Sequence, residues 1–425
     1  MTPELLKMKE FIEEYKRYQE ERVALISSEN LSSKLLRTSY IMGLSDQYCS
    51  RLPEEADKIG NLAFGNIEVL DKVNLMTRNI VQDIFDAKEC DVRLLSGLSG
   101  LTVLIFSLFE NSDVMYKMYD MHGGHLSVKP IADRLSLDIV DMMLGNNYRF
   151  DLDDFEKKWK GKQAKTIFLD SSYVLFPYPL KEIRSIVGDE VTIMYDASHM
   201  SALIAAGMFQ NPFAEGADII HSTTHKSMWG PQKSIILMKE KGELADTIHH
   251  MVKDVLVSNT HMHHIFALYI ALLEFKKFGK DYAENLYKNA RCLANRLQSK
   301  GVEIAAKDYG YTESNQFWID CNTKEKAILD FKKLEKVGIS TNMIFLPGNR
   351  WGLRIGVNSI TRLGAKEEEI NLLGDILSDL LTGKKDIDTL KNELIALRKD
   401  LGSIKYSFDD FDDAKEIMNY IIQNF

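Results

Sequence analysis

The sequence predicts an α/β protein in which a mostly parallel sheet forms a large domain and a smaller α+β domain follows it. Between about residues 60 and 260, short apolar runs of strand length alternate with helical patterns, and this alternation is typical of right-handed crossover units. After about residue 275, a long helical pattern is followed by isolated strand candidates. The chain has 425 residues, more than a single hydrophobic core usually supports, so we expect more than one domain.

The individual elements are predicted from apolar runs and their spacing. The strand candidates of the large domain are residues 91–95, 114–118, 166–169, 191–195 and 218–220. The smaller domain has a predicted helix over 274–300 and predicted strands over 316–320 and 352–355. We therefore expect an N-terminal arm over residues 1–55, a large α/β domain over 56–275, and a C-terminal α+β domain over 276–425 that includes an additional helical tail.

Two amphipathic helices are predicted towards the ends of the chain. The apolar positions of the first share one helical face and are Leu5, Met8, Phe11, Ile12 and Tyr15. Those of the second recur at spacings of three and four residues and are Ile387, Leu390, Leu394, Leu397 and Leu401. This spacing suits a helix that packs within the fold or faces a partner.

The composition excludes several classes of protein. A net charge of -9 at pH 7 argues against a nucleic-acid partner, because phosphate binding needs a basic surface. No segment approaches the roughly 18 apolar residues that a membrane span requires, and the charged N-terminal helix lacks the apolar stretch of a signal peptide. The scattered cysteines fit reduced thiols and exclude a cysteine zinc site; they are Cys49, Cys90, Cys292 and Cys321. We expect a cytoplasmic protein without a metal site.

An aspartate and a lysine follow two neighbouring strand candidates. Asp196 ends the apolar run 191–195, and Lys226 comes about 30 residues later, after the run 218–220 and the residues HSTTH. Pyridoxal phosphate needs such a pair, because a carboxylate keeps its ring nitrogen protonated and a lysine amine holds it as a Schiff base. Either residue alone is more simply a helix cap or a surface lysine. Together, among hydroxyls and histidines, they indicate a cofactor site.

Three further patterns fit a cofactor site. Residues 96–100 (SGLSG) lie between a strand candidate and an apolar helix, so their backbone N–H groups can bind a phosphate. His125 follows the strand candidate 114–118 after a short loop, and its imidazole can stack on a cofactor ring. Arg354 lies in the apolar run LRIG, where a guanidinium needs an anion, either a substrate carboxylate or a structural ion-pair partner.

These motifs resemble those of the serine hydroxymethyltransferases, a family of fold-type-I pyridoxal-phosphate enzymes, from about residue 20 to residue 380. The most specific is STTHK over residues 222–226, followed by Gly230-Pro231, which is similar to the family's TTTHK signature. The segments DASH with LIAAG, LISSEN, GGHL and LRIG match further family motifs. The resemblance implies a mostly parallel sheet of the seven-stranded type in the large domain.

The resemblance also implies residue roles. Catalytic roles would belong to Lys226, Asp196, His125 and Tyr48, and substrate binding to Ser28, Arg354, Tyr48 and Ser50. The cofactor would contact Ser96, Gly97, Leu98, His125, Ser172, Asp196, His199, Thr223, His225, Lys226 and Thr260. Tyr48 would reach across the interface of a homodimer into the neighbouring site, so the active sites would be composite.

The chain departs from the family in the half of the site that binds folate. The family has YAEGYPG where this chain has YCSRLPE, so Ser50 replaces the catalytic glutamate. Ala63-Phe64 replaces a tyrosine pair, and Asp120 replaces a leucine of the folate pocket. The arginine after Gly-Pro has become Gln232. A Gly-Gly pair that meets the neighbour's phosphate has become Asn259-Thr260, whose hydroxyl can substitute.

We therefore expect a pyridoxal-phosphate enzyme that acts on a small α-amino acid. The expected reaction is folate-independent aldol-type cleavage or transfer at Cα–Cβ of a β-hydroxy-amino acid, with glycine as product or donor. The base for the β-hydroxyl would be His125, Tyr48 or Asp120, and the sequence does not select among them. A folate-using serine/glycine hydroxymethyltransferase, or a racemase or aminotransferase on the same scaffold, remains an alternative because a fold does not fix a reaction.

Overall fold

Strands and helices alternate in the computed structural model, which describes residues 2–49 and 67–425. In chain order the strands are β1 (Val23–Ala24), β2 (Glu89–Asp91), β3 (Val114–Met118), β4 (Asp138–Met142), β5 (Thr166–Leu169), β6 (Thr192–Asp196), β7 (Ile219–Thr223), β8 (Ser234–Met238), β9 (Gln316–Asn322), β10 (Ile339–Ser340), β11 (Asn342–Leu346) and β12 (Arg350–Gly356). The α-helices are α1 (Pro3–Glu21), α2 (Lys34–Arg37), α3 (Glu68–Phe85), α4 (Gly97–Leu108), α5 (Val128–Arg134), α6 (Leu152–Gly161), α7 (Leu180–Val187), α8 (Ser201–Ala205), α9 (Pro212–Glu215), α10 (Glu243–His250), α11 (Met262–Ser299), α12 (Lys324–Val337), α13 (Asn358–Arg362), α14 (Glu367–Thr382), α15 (Ile387–Leu401) and α16 (Asp412–Asn424). Short 3-10 helices span Thr38–Tyr40, Leu44–Asp46, Asp120–His122 and Lys307–Tyr309, and a π-helix spans Met251–Leu256.

Seven strands form the main sheet, in the order β2-β8-β7-β6-β5-β3-β4. The neighbours from β7 to β4 pair in parallel, whereas β8 runs antiparallel to both β7 and β2. This mixed, mostly parallel sheet confirms the predicted fold class. The carboxyl ends of β3, β5, β6 and β7 meet at one edge, which is where α/β proteins usually bind their ligands.

The apolar core of this sheet lies against helices α4, α5 and α10. The buried side chains that the strands and α4 contribute include Phe168, Met194, Ile219, Ile236, Leu101, Leu104 and Ile105, each at most 1% exposed. Burying one such side chain stabilises the fold by about 1.5–3 kcal/mol. The packing of α4 therefore holds its N-terminus at a defined place beside the sheet.

The predicted strands of the large domain are mostly confirmed, with one error of extent. β3 and β5 match their predictions, while β6 begins one residue later and β7 extends to Thr223. The prediction for residues 91–95 is wrong beyond Asp91, where β2 ends. The backbone N–H and guanidinium of Arg93 both bind the Asp91 carboxylate, so local side-chain bonds replace strand pairing after this residue.

Two strands of the main sheet were not predicted from the sequence. β4 is an edge strand that contains Asp138 and Asp141, so it lacks the continuous apolar run of its neighbours. β8 is a run of five buried residues. So short an apolar run cannot be assigned to a strand or a helix by periodicity alone.

The described chain divides into two units. The smaller unit contains the described residues of Met1–Glu29 together with Asn285–Lys405, and the larger unit contains those of Asn30–Glu284 together with Tyr406–Phe425. The first residues thus group with the C-terminal part, and the last 20 residues group with the large sheet. The predicted division into 1–55, 56–275 and 276–425 stays a prediction about domains.

The smaller unit contains two further sheets and the predicted tail helix. Its antiparallel sheet has the order β11-β12-β9, and β1 pairs in parallel with β10. The predicted strands 316–320 and 352–355 lie within β9 and β12, whereas β11 was missed. α15 packs against α12 and α14, and its buried face consists of Leu390, Leu394, Leu397 and Leu401. This helix is therefore packed within the fold, as its spacing allowed.

The long helix α11 begins at Met262 rather than at residue 274 and ends at Ser299. Within the part of the chain that the structure describes, no helix is both long and apolar enough to cross a membrane.

Candidate active site

Asp196 ends β6 at the carboxyl edge of the main sheet, and its side chain is buried. Its Oδ1 accepts a hydrogen bond from the Ser198 N–H at 2.8 Å and lies 3.4 Å from His221 Nδ1. Burial opposes ionisation, but His221, Lys226 and the Ser198 N–H together outweigh it and hold the pKa of Asp196 well below its usual range. The site therefore presents an ionised carboxylate in a place shielded from water.

Lys226 lies on the loop after β7, and hydrogen bonding at the end of β7 connects this loop to the loop after β6. Its Nζ lies 3.3 Å from His199 Nε2, and its carbonyl oxygen accepts a hydrogen bond from Asn30 Nδ2 at 2.9 Å. The Thr223 N–H donates to Ser198 Oγ at 3.0 Å. These bonds fix the position of Lys226 relative to Asp196. Lys226 lies on the loop after β7, and Asp196 directly precedes the loop after β6.

His225, next to Lys226, is held neutral by its surroundings. Burial, followed by the positive charge of Lys226, lowers the pKa of His225 to about 4. A neutral imidazole adds no further positive charge beside the lysine amine.

The N-terminus of α4 faces the same edge of the sheet and has the properties of a phosphate site. Ser96 is its N-cap, and a reciprocal pair of bonds with Ser99 closes a capping box. The first turn contains no acidic residue, so nothing in that turn offsets the positive end of the helix dipole. A Cβ at Gly97 would lie 2.5 Å from Thr223 Cγ2. Only glycine therefore lets α4 approach the end of β7 this closely; Leu98, beside it, is exposed.

His125 lies at the end of a loop that leaves β3 and is tightly bound to the loop after β5. Ser172 donates to Gly123 O from both its N–H (2.8 Å) and its Oγ (3.1 Å). The Ser127 N–H donates to His125 Nδ1 at 3.3 Å, which places the hydrogen of the neutral ring on Nε2. Burial lowers the pKa of His125, and the charges of Asp196 and Lys226 also act on it. All three side chains thus belong to one cluster.

Tyr48 and Thr260 are held together by backbone and side-chain bonds. Thr260 donates to Cys49 O from both its N–H (3.0 Å) and its Oγ1 (2.6 Å). The side chain of Asn259 binds the same segment twice: its Nδ2 donates to Gln47 O, and its Oδ1 accepts from the Cys49 N–H. Tyr48 itself is 54% exposed. The two residues assigned to a neighbouring site by resemblance therefore form one structural element.

Ser28 and Arg354 belong to the smaller unit. Arg354 lies on β12, is buried, and its Nε donates to Asn342 Oδ1 at 3.2 Å. The Gly356 N–H, two residues further along β12, donates to Leu25 O, and a Cβ at Gly356 would lie 2.3 Å from Ser27 Cα. The turn that carries Ser28 is thus packed onto the end of the arginine strand. Their role in binding a substrate carboxylate stays a prediction.

Some residues singled out in the sequence lie outside the described residues, and others were missed. Ser50 and Ala63-Phe64 fall outside the described ranges, so their roles stay predictions. His221, which faces Asp196, and Asp170, which binds the His125 backbone, were given no role. Both follow the signal that identified Asp196, a polar residue directly after a short apolar run in the sequence. Among the described residues, no group of three or more His, Cys, Asp or Glu is arranged to bind a metal.

Taken together, these residues fit pyridoxal phosphate. Asp196 supplies the buried, ionised carboxylate that a protonated ring nitrogen needs, Lys226 the amine, and the N-terminus of α4 the donors for a phosphate. The close approach that Gly97 allows places the donors next to the end of β7, where the loop with Lys226 begins. Asp196, Lys226 and the N-terminus of α4 together provide the carboxylate, the amine and the N–H donors that pyridoxal phosphate requires.

Comparison with known proteins agrees with this assignment. A family model described as serine hydroxymethyltransferase matches residues 4–377. The serine hydroxymethyltransferase of Archaeoglobus fulgidus is 33% identical over 417 residues, which cover 94% of this chain and 92% of that protein. That of Methanopyrus kandleri is 29% identical, with 93% and 94% covered.

A solved structure is also similar over nearly the whole chain. It is the L-threonine transaldolase of Pseudomonas fluorescens in its internal aldimine state, with a TM-score of 0.93 and 26% sequence identity. The match covers 98% of this chain and 96% of that one. The likeness thus extends to the fold of both units, each taken by itself.

Proposed function

Because this chain belongs to the serine hydroxymethyltransferase family, and is thus a fold-type-I, pyridoxal-phosphate-dependent enzyme, we propose that it catalyses a folate-independent aldol-type reaction. The substrate is a small β-hydroxy-α-amino acid, its Cα–Cβ bond is cleaved, and glycine is the product or the donor. In the transfer version, a second aldehyde takes the place of the first. The enzyme works as a homodimer in the cytoplasm.

The observation that carries this proposal is the environment of Asp120, at the position of a leucine in the family's folate pocket. Its carboxylate binds Lys117 Nζ at 2.5 Å, and its side chain is 27% exposed. A pteridine at this position would face the partly exposed carboxylate of Asp120, and removing that carboxylate from water costs binding energy. Ser50, in place of the family glutamate, has a hydroxyl that is too weak an acid to replace a carboxylic acid near pH 7. An aldehyde acceptor needs neither group.

The retained half of the site is sufficient for an aldol reaction. When bound, pyridoxal phosphate supplies an electron sink that stabilises negative charge at Cα. Asp196 remains ionised and keeps the ring nitrogen protonated. Lys226 would hold the cofactor through its side-chain amine. Arg354 and Ser28 bind the substrate carboxylate, and this fixes which bond at Cα is broken.

Among the three candidate bases for the β-hydroxyl, the contacts favour His125. Asp120 is already the counter-ion of Lys117. The pKa of His125 is lowered by burial, so its ring is neutral near pH 7 and can accept a proton. Accepting it at Nε2 requires the other neutral tautomer, which gives up the 3.3 Å bond from the Ser127 N–H. Such a bond contributes about 1 kcal/mol, a small cost for a catalytic step.

A screen of amino acids, with and without tetrahydrofolate, tests the proposal by product identity. We expect glycine and an aldehyde from β-hydroxy-amino acids at the same rate with and without folate. We also expect no folate binding at micromolar concentrations by calorimetry. Tight, stoichiometric folate binding together with folate-dependent serine cleavage would contradict the proposal.

A folate-using serine hydroxymethyltransferase is the second candidate function. It is favoured by the names of the relatives that are about 30% identical to this chain. The same screen separates the two candidates, because only the second needs folate for the transfer of a one-carbon group. Keto-acid formation in the screen would indicate an aminotransferase instead.

A further inference from the structure

Three ionisable side chains surround the backbone of the loop between β3 and His125. Lys117 lies on β3 and is 1% exposed, and Asp170 directly follows β5 and is equally buried. Asp120 lies in the loop itself. Burial raises the pKa of the Asp170 carboxyl to about 7, and burying a polar or charged group is unfavourable unless partners compensate for it. The partners of these three residues therefore indicate which part of the chain the three side chains hold in place.

The Asp170 carboxylate bridges the beginning and the end of the loop. Its Oδ1 accepts a hydrogen bond from the Met118 N–H and its Oδ2 one from the His125 N–H, both at 2.9 Å. Met118 is the last residue of β3. One side chain thus ties the backbone of His125 to the end of a central strand.

Lys117 holds the same loop from the other side. Its Nζ donates to Met118 O and to Asp120 Oδ1, each at 2.5 Å, and lies 3.9 Å from Asp141 Oδ1 on β4. A Cβ at Gly124 would lie 2.1 Å from Met118 O and 3.1 Å from Lys117 Nζ. The loop therefore closes directly onto the lysine, and glycine is required next to His125.

We propose that Lys117, Asp120 and Asp170 form a positioning network that holds the His125 imidazole in its reactive place. Lys117 and Asp120 fix the start of the loop as an ion pair, and Asp170 fixes its end through the His125 N–H. Asp120 is then a counter-ion and not a base. This inference rests on the proposed role of His125 in the aldol reaction.

Asp170→Asn is the sharpest test, because it keeps the shape of the side chain and changes one acceptor into a donor. The amide nitrogen must then face the N–H of either Met118 or His125, so one of the two bonds is lost. The variant is made in the wild-type and in the His125→Ala background, and each holoenzyme is measured by kcat/KM and by the visible circular dichroism of the bound cofactor. Asp218→Asn is the matched control, because Asp218 also accepts a backbone N–H (Ile193, 2.8 Å) of the main sheet, away from His125.

If the network positions His125, Asp170→Asn lowers kcat/KM on the order of 100-fold in the wild-type background, the effect of a small displacement of a catalytic group. In the His125→Ala background, Asp170→Asn changes kcat/KM by no more than about twofold. The circular dichroism of the Asp170→Asn holoenzyme should move toward that of His125→Ala. Asp218→Asn should change neither readout.

Equal losses in both backgrounds, or an unchanged cofactor spectrum, would overturn the network and make Asp170 merely structural. If His125→Ala alone has native kcat/KM, the failure lies in the proposed role of His125 instead. Asp120→Asn, at a partly exposed position, gives a second variant should Asp170→Asn not fold. It should show the same dependence on His125, and additive losses would again overturn the proposal.

Discussion

Single side chains in the larger unit owe their charge states to contacts that are distant in the sequence. Asp196 stays ionised because His221 and Lys226 lie beside it, and His225 stays neutral because Lys226 adds to the effect of burial. Arg354, in the smaller unit, is buried with a neutral amide at its Nε. Each of these residue types is common in proteins, and we expect the surroundings of these three residues to give them their roles in the site.

Arg354→Lys should weaken amino-acid binding far more than cofactor binding. Lysine keeps the positive charge but cannot present two parallel N–H donors to a carboxylate. The expected loss is on the order of 2–4 kcal/mol in substrate binding, measured by titrating the holoenzyme with the amino acid. Arg350→Lys, on the same strand and paired with Asp320, is the control. Unchanged substrate affinity would make Arg354 structural.

Lys233 should make the free energy of unfolding depend on pH. Its side-chain nitrogen is fully buried and donates to Arg93 O and Thr260 O, and burial lowers its pKa from 10.5 to about 7. Between these two values the unfolded chain binds a proton that the folded chain does not. Stability should therefore rise with pH across this window, by up to about 1.4 kcal/mol per pH unit.

The test is chemical unfolding of the wild type and Lys233→Met from pH 7 to pH 9.5. The difference in unfolding free energy should change in favour of the wild type as the pH rises, because the methionine cannot titrate. The same substitution at the exposed Lys239 controls for the loss of one positive charge. Parallel curves for wild type and Lys233→Met would contradict the prediction.

At the scale of elements, the site depends on how closely α4 packs against the main sheet. A Cβ at Gly100 would lie 2.5 Å from both His221 Nε2 and Ser234 Oγ. His221 is in turn the residue that faces Asp196. The helix that offers the phosphate site and the strand that carries His221 thus leave no space between them for a methyl group at this position.

Gly100→Ala should destabilise the protein by about 1–3 kcal/mol, because an additional methyl group in a packed core displaces its neighbours. It should also weaken cofactor binding, since His221 must move relative to Asp196. Gly161→Ala at the end of α6, where nothing lies within 4 Å of the added Cβ, should be neutral or stabilising by up to about 1 kcal/mol. Chemical unfolding and cofactor titration measure both variants, and equal behaviour of the two would refute the packing argument.

At the scale of the whole molecule, we expect a homodimer with composite active sites. Tyr48 and Thr260 are joined by the bonds at Cys49 O, so both would enter a neighbouring site together. Isologous pairing is the commonest symmetry of oligomers. A dimer of this kind makes each site depend on both copies.

Mixing the inactive variants Lys226→Ala and Tyr48→Phe should therefore restore activity. Random exchange makes half of the dimers hybrids, and each hybrid has one intact site, so about a quarter of the native activity is expected. Lys226→Ala alone should also lack the visible absorbance of the bound cofactor. No recovery after confirmed subunit exchange would show that the sites are not shared.

The sequence by itself determined the α/β class, the strands β3 and β5, and the Asp196–Lys226 pair, because each leaves a local signal of apolar run length or of polar residues at a strand end. Only the tertiary structure placed β8 between β7 and β2 and ended β2 at Asp91. It also brought Asp170 to the His125 backbone and Lys117 to Asp120. Strand order and loop closure decide which residues make these contacts. Both depend on the packing of the whole sheet, so no local pattern in the sequence predicts the contacts.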